Sequence, residues 1–171
     1  MAIDLSLMTA KPREAAVNGH TLTVAPLVLS DFAYMQDWFM EQPLEDIAPM
    51  IEKLGDHITP DKKAEIVSAA QKEYETRRKV IKNLEGDKNV IKRVSDDMRI
   101  AFQSFEGTAR MLWLSVKKYD DSLSLEDVRD MMDIETLQAI QELLDSISFE
   151  EKDSDHDKKY VDYDPEKKTA V

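Results

Sequence analysis

Residues 89–119, NVIKRVSDDMRIAFQSFEGTARMLWLSVKKY, carry the pattern on which the fold turns. Apolar side chains recur at Ile91, Val94, Met98, Ala101, Phe105, Ala109, Leu112 and Val116, an average step of ~3.6 residues and hence the period of an amphipathic helix. The stretch reads as one long helix. Its first half is apolar on one side only. In its second half Met111, Leu112, Trp113, Leu114 and Val116 carry apolar surface round nearly the whole circumference. This half is expected to be enclosed by other elements, with Trp113 buried.

The stretches on either side supply those elements. Towards the C-terminus, Ser124 with Asp127 three residues on forms a variant of the capping box and starts a short helix, and Asp133 caps a second one with Ile134, Leu137, Ile140, Leu144 and Ile147 inward. These two helices should clamp the apolar end of the central one. Towards the N-terminus, Gly86 and Asp87 separate it from a long helix that opens on Thr59-Pro60 and runs to about Leu84. So short a connection makes the two long helices antiparallel neighbours. The stripe of the earlier helix (Val67, Ala70, Tyr74, Arg77, Ile81, Leu84) contains an arginine, which must reach solvent or find a carboxylate. Before it, LEDIAPMIEKL has helical spacing divided or kinked by Pro49 and closed by Gly55. Earlier still, Ser30 is the expected cap of a helix bearing Phe32, Met35, Trp38 and Phe39 on one side, ended by Pro43.

Residues 13–25 read as a β-hairpin turning on Asn18-Gly19, a pair that tolerates the positive φ of a type I′ turn. In that register Ala15, Val17, Leu22 and Val24 share one apolar face, which must pack on a helix or join the sheet of a second copy. Residues 1–12 are expected to be a loose arm. From Glu150 to Val171 the chain is almost all charged or polar, without a period, and is expected to be a disordered acidic tail. The fold class is therefore mainly α: a single domain over 13–149 built on two long antiparallel helices, with short flanking helices and an N-terminal hairpin.

Composition narrows the function classes. Among 171 residues, 35 acids against 23 bases leave a net charge of −12, which repels phosphate backbones and argues against nucleic-acid binding. The absence of cysteine removes disulfides, thiolate metal sites and cysteine catalysis. No signal peptide and no membrane-length apolar run is evident, so a cytosolic protein is expected. Asp153, Asp155 and Asp157 alternate as at the start of a calcium loop, but Lys158 stands where such a loop needs glycine and Asp164 where glutamate is usual. His20, His57 and His156 are far apart without ligand-like neighbours. No metal, no cofactor and no catalytic constellation is expected.

The aromatic residues cluster instead. Phe32, Tyr34, Trp38 and Phe39 lie in one short helix, and Phe102, Phe105 and Trp113 in the central one. Filling the core is the simplest account of them. The alternative is a partly open apolar groove for another protein's helix, and the nine methionines suit it because thioethers adapt to varied partners. Phe32, Trp38, Phe39, Met111 and Trp113 are the candidate partner-binding residues.

Two stretches carry a family resemblance. VNGHTLTVAPLVLSDFAYMQDW (17–38) is similar to the opening of the tail assembly chaperones of long-tailed bacteriophages: a short hairpin, then Pro-Leu-x-Leu, then an aspartate opening a helix. TARMLWLSVKKYDDSLSLEDVRDMMDIETLQAIQELL (108–144) resembles their ending: Leu-Trp-Leu-Ser, a basic pair, then a Ser/Thr-x-Glu-Asp-Val helix. The resemblance implies a non-enzymatic protein that keeps the tape measure protein soluble and helps recruit tail tube subunits. It would act in the host cytoplasm and be absent from the mature virion. Many genes of that family also make a longer product by frameshifting near the end of the short form; the codons of Lys167-Lys168 are a candidate slip site, and two ordinary lysines in a charged tail are the simpler reading. Two other functions fit the composition: a structural tail or head-completion protein retained in the virion, and an acidic DNA mimic that inhibits a nucleic-acid enzyme. The mimic needs acids in regular rows on one face, whereas here they alternate with lysines.

Overall fold

Strand β1 (Arg13–Val17) turns through Asn18 and Gly19 into β2 (His20–Val24) with the expected register, Arg13 opposite Val24, Ala15 opposite Leu22 and Val17 opposite His20. Asn18 and Gly19 take φ of 46° and 83°, the left-handed values of a type I′ turn. A computed structural model describes residues 11–148 of the chain. Most of the expected arm lies outside those residues, as do the acidic tail from Glu150, its aspartate triplet and Lys167-Lys168. The described chain is mainly helical: α1 (Leu29–Glu45), α2 (Ile47–Leu54), a 3₁₀ turn (Gly55–His57), α3 (Pro60–Asn83), α4 (Lys88–Gln103), α5 (Phe105–Val116), α6 (Leu125–Met131) and α7 (Ile134–Ser148).

Helix α5 is the hub, and it has two working faces. Ala109, Leu112 and Val116 pack with Val17, Leu22 and Val24 of the hairpin, Val128 of α6, and Ile140, Leu144 and Ile147 of α7. The apolar face of the hairpin is thus covered by helices of its own chain. Leu114 points the other way, into a second cluster with Met35, Trp38 and Phe39 of α1, Val80 of α3 and Val94 of α4. Trp113 departs from expectation: it is half-buried, while Leu112 and Leu114 on either side are the fully enclosed residues. Its indole N–H donates to the Leu123 carbonyl at 3.0 Å, which draws the ring towards the edge of the domain. Asn18 at the hairpin tip donates to Met131 O and Asp133 Oδ2, both at 2.9 Å, and so ties the turn to the junction of α6 and α7.

The caps at Thr59, Asp87, Ser124 and Asp133 are where local sequence places them, each side chain accepting from a backbone N–H of the first turn. At α1 the cap differs. The helix starts at Leu29, and the carboxylate of Asp31 accepts from Val28 N–H at 2.8 Å, leaving Ser30 inside the helix. Lys118 fixes that carboxylate at 2.6 Å and also donates to the Pro26 carbonyl, so the end of α5 pins the start of α1.

Pro43 does not end α1, which continues to Glu45. A proline inside a helix removes the N–H that would bond the carbonyl four residues earlier, here that of Phe39. Arg77 of α3 replaces it: Nη1 donates to Phe39 O at 2.7 Å, Nε pairs with Glu73 at 3.1 Å, and the guanidinium lies 4.0 Å from the centre of the Phe39 ring. This accounts for an arginine in the apolar stripe of α3. Glu73 also receives Arg93 of α4 at 3.0 and 3.1 Å, which joins the two long helices across their hairpin. The stretch 44–54 is divided, at Asp46 between α1 and α2, which puts Pro49 in the first turn of α2, where its missing N–H is not needed.

The principal departure lies in the stretch 89–119. It is two helices, broken at Ser104, whose backbone is extended (φ −69°, ψ 164°). One hydroxyl holds both ends: Ser104 Oγ donates to Ala101 O at 2.6 Å and accepts from Gly107 N–H at 3.1 Å. The fold brings the backbone of residue 107 so close to the end of α4 that a Cβ there would overlap the carbonyl oxygens of Ala101 and Phe102, the latter at 2.6 Å.

Two measurements follow. Gly107→Ala would stabilise a continuous helix by about 1 kcal/mol, but it should destabilise this one by about 2 kcal/mol or more through overpacking, so the sign of the change in a urea melt decides between them. Arg77→Leu should cost about 3 kcal/mol by orphaning the Phe39 carbonyl. In a Pro43→Ala background, where residue 43 regains its N–H, the cost should fall by about 1 kcal/mol, a coupling readable in a double-mutant cycle.

Candidate functional site

The break at Ser104 builds a recess in the surface. Met98 and Met111 would stand ~20 Å apart along a straight helix, yet both line one recess of about 330 Å³. Folding α5 back from α4 lets Met98 and Phe102 on one side face Met111 on the other. Phe32 of α1 and Leu144 of α7 complete the apolar lining. Leu144 is fully buried, whereas Phe32, Met98, Phe102 and Met111 are half-buried, so the recess has a closed floor and an open mouth.

Its polar members are few and placed to purpose. Gln141 of α7 donates to Gln103 O at 2.8 Å and to Thr108 Oγ1 at 2.9 Å. It satisfies a carbonyl left over at the end of α4 and grips the first turn of α5, so α7 is fastened to both sides of the break. Arg99 of α4 and Asp145 of α7 stand at the rim. Among the described residues no side-chain N or O atom that is buried lacks a hydrogen-bond partner.

The candidate residues separate into three groups. Phe32 and Met111 line the recess. Trp38 and Phe39 are buried in the cluster between α1, α3 and α4, each with a guanidinium over its ring: Arg110 at 4.9 Å from Trp38 and Arg77 at 4.0 Å from Phe39. Trp113 lies on another flank of α5, 6.0 Å from Tyr34, with Lys117 Nζ 4.0 Å from the ring centre. The Lys117 cation, just past the end of α5, thus sits over the ring. Met98, Phe102 and Leu144 also line the recess; Phe102 is one of the clustered aromatics, whereas Met98 and Leu144 are not among the candidate residues. Their signal was Ser104-Phe105-Glu106-Gly107, a helix-start pattern of serine cap and first-turn acid inside an apparently unbroken stripe.

Beside the recess Glu106 bridges α5 to α6, taking Arg110 Nε at 2.6 Å and Arg129 Nε at 2.8 Å. Partial burial pushes its carboxyl up, but the hydrogen bond from Arg129 and the charges of both arginines outweigh that and hold it below its ordinary value of 4.5. Among the described residues no three His, Cys, Asp or Glu side chains gather as metal ligands, and no helix is long and apolar enough to cross a membrane. Comparison with protein-family models, curated proteins and solved structures finds no match for the chain.

The depressed pKa of Glu106 has a testable sign. A carboxylate lowered in the folded state stabilises fully above its unfolded pKa, and that contribution is lost as pH falls through the folded value. Glu106→Gln should therefore lower the melting temperature at neutral pH, and the gap from the unsubstituted protein should start to narrow only as the pH falls below 4.5, closing in more acid solution.

Proposed function

We propose that this chain is a non-enzymatic assembly chaperone of a long-tailed bacteriophage. In this reading it binds amphipathic helices of the tape measure protein, keeps that protein soluble and helps bring tail tube subunits to it. It acts in the host cytoplasm and leaves before the virion is complete. The observation that carries the proposal is the open apolar recess between α1, α4, α5 and α7, with Phe32, Met98, Phe102 and Met111 at its walls. A bulky apolar side chain on one face of a partner helix is the kind of group such a recess accepts.

Two features support it. The resemblance lies in residues 17–38 and 108–144, which hold the turn and second strand of the hairpin, most of α1 and α5, all of α6 and most of α7. The hairpin and α5 to α7 make up the larger core cluster, and α1, α5 and α7 are three of the four walls of the recess. The net charge of −12 suits a protein that must stay dispersed while holding an aggregation-prone client.

Co-expression with the tape measure protein of the same phage tests the proposal. The soluble fraction of that protein should rise, with a complex on size exclusion that survives high salt, because apolar contact is not screened. Phe102→Gln should abolish capture while changing stability by no more than about 2 kcal/mol, since the ring is only half-buried. Equal insolubility of the tape measure protein with and without the chain would defeat the proposal. Stoichiometric presence of the chain in purified virions would replace it with the structural-component reading.

A further inference from the structure

The mouth of the recess carries one charge of each sign. Arg99 stands on the α4 wall and Asp145 on the α7 wall, both exposed. Neither has an ion-pair partner among the described residues, although most arginines around them are paired: Arg77, Arg93, Arg110 and Arg129 all hold carboxylates. The surroundings sharpen the division. Helix α7 carries Glu135, Glu142 and Asp145 and no base, whereas α4 carries Lys88, Lys92, Arg93 and Arg99 against Asp96 and Asp97.

A helix lying across an apolar recess presents its anchor downward and its two flanks to the two walls. From this juxtaposition we infer that the recess selects an amphipathic helix of mixed flanks, with acidic side chains along the edge that meets Arg99 and basic side chains along the edge that meets Asp145. The inference rests on the capture of helices proposed above and adds the chemistry of the helix captured. It also has a consequence for geometry. With the apolar stripe facing down, reversing a helix exchanges its flanks, so the rim charges set the direction in which a given helix lies. A net charge of −12 acting as a diffuse field would do neither and would favour whichever helix is most basic.

The test uses the full-length chain and four synthetic helical peptides that share one apolar stripe. Their flanks are Glu on one edge and Lys on the other, Lys on both, Glu on both, or neutral on both. Affinities are read by fluorescence anisotropy at about 0.3 M salt, where the Debye length is about 5 Å and the diffuse field is screened. The mixed peptide should bind about fivefold more tightly than either uniformly charged one, the scale of two exposed charge pairs. Arg99→Glu makes both walls acidic and should shift first place to the all-Lys peptide. Asp145→Lys makes both walls basic and should shift it to the all-Glu peptide. Both residues are exposed, so melting temperatures should stay within a few degrees of the original, about what surface substitutions allow. If the all-Lys peptide wins on the unsubstituted protein, or the ranking is the same in all three proteins, the inference is overturned while helix capture stands. If no peptide binds, the inference is also overturned, and co-expression with the tape measure protein separately decides whether capture falls with it.

Discussion

The hydroxyl of Ser104 is the interaction on which the arrangement of the helices depends. It closes α4 by donating to Ala101 O and opens α5 by accepting from Gly107 N–H, so a single oxygen serves two helix ends within one residue. Gly107 allows the backbones to approach that closely. From this point α5 runs in a new direction and meets the hairpin, α6 and α7 on one face and α1 on the other. A continuous helix would have carried Leu112, Leu114 and Val116 away from the residues they now bury. It would also have left Met98 and Met111 on one extended stripe with no recess between them.

A second constraint recurs through the structure: carbonyls stranded by irregular backbone are met by side chains from distant elements. Arg77 of α3 bonds the Phe39 carbonyl that Pro43 leaves without a donor. Gln141 of α7 bonds Gln103 O at the break, Ser115 of α5 bonds Ala25 O after the hairpin, and Lys118 bonds Pro26 O. An unsatisfied buried carbonyl costs about 1–3 kcal/mol. That cost applies in full at Ala25, whose bond is buried, in part at Phe39, and least at Gln103 and Pro26, whose bonds are exposed. Most of these bonds fall between elements that also pack together in the two apolar clusters, α1 with α3 and α5 with the hairpin and α7, and so add fixed points to those contacts.

What could be read from sequence follows the range of the cause. The hairpin register was legible because Asn18-Gly19 and the alternation of Ala15, Val17, Leu22 and Val24 are local signals. The same holds for the caps at Thr59, Asp87, Ser124 and Asp133. The break at Ser104 was hidden because the apolar spacing Ala101, Phe105, Ala109 keeps helical phase across it: periodicity reports which residues are buried, and both halves bury the same stripe. Pro43 misled for a different reason, since its compensation comes from Arg77 on another helix. Trp113 was placed too deep because an all-round apolar segment was read without its indole N–H, which needed an acceptor and found one at the periphery in Leu123. The recess was least legible of all: no pattern in one helix announces that residues from four helices converge.

The same bonds that build the recess also hold it in shape before anything enters it. Its α4 and α5 walls are fixed to each other through Ser104, its α7 wall to both through Gln141, and its α1 wall to α5 through Asp31 and Lys118. Binding to a preformed recess spends little on ordering the protein, so most of the gain from burying an anchor side chain is kept as affinity. The half-buried methionines temper that rigidity, because Met98 and Met111 can change rotamer to fit anchors of different shape. A rigid frame with adaptable walls suits a proposed client that presents many similar helices in succession and must be released from each.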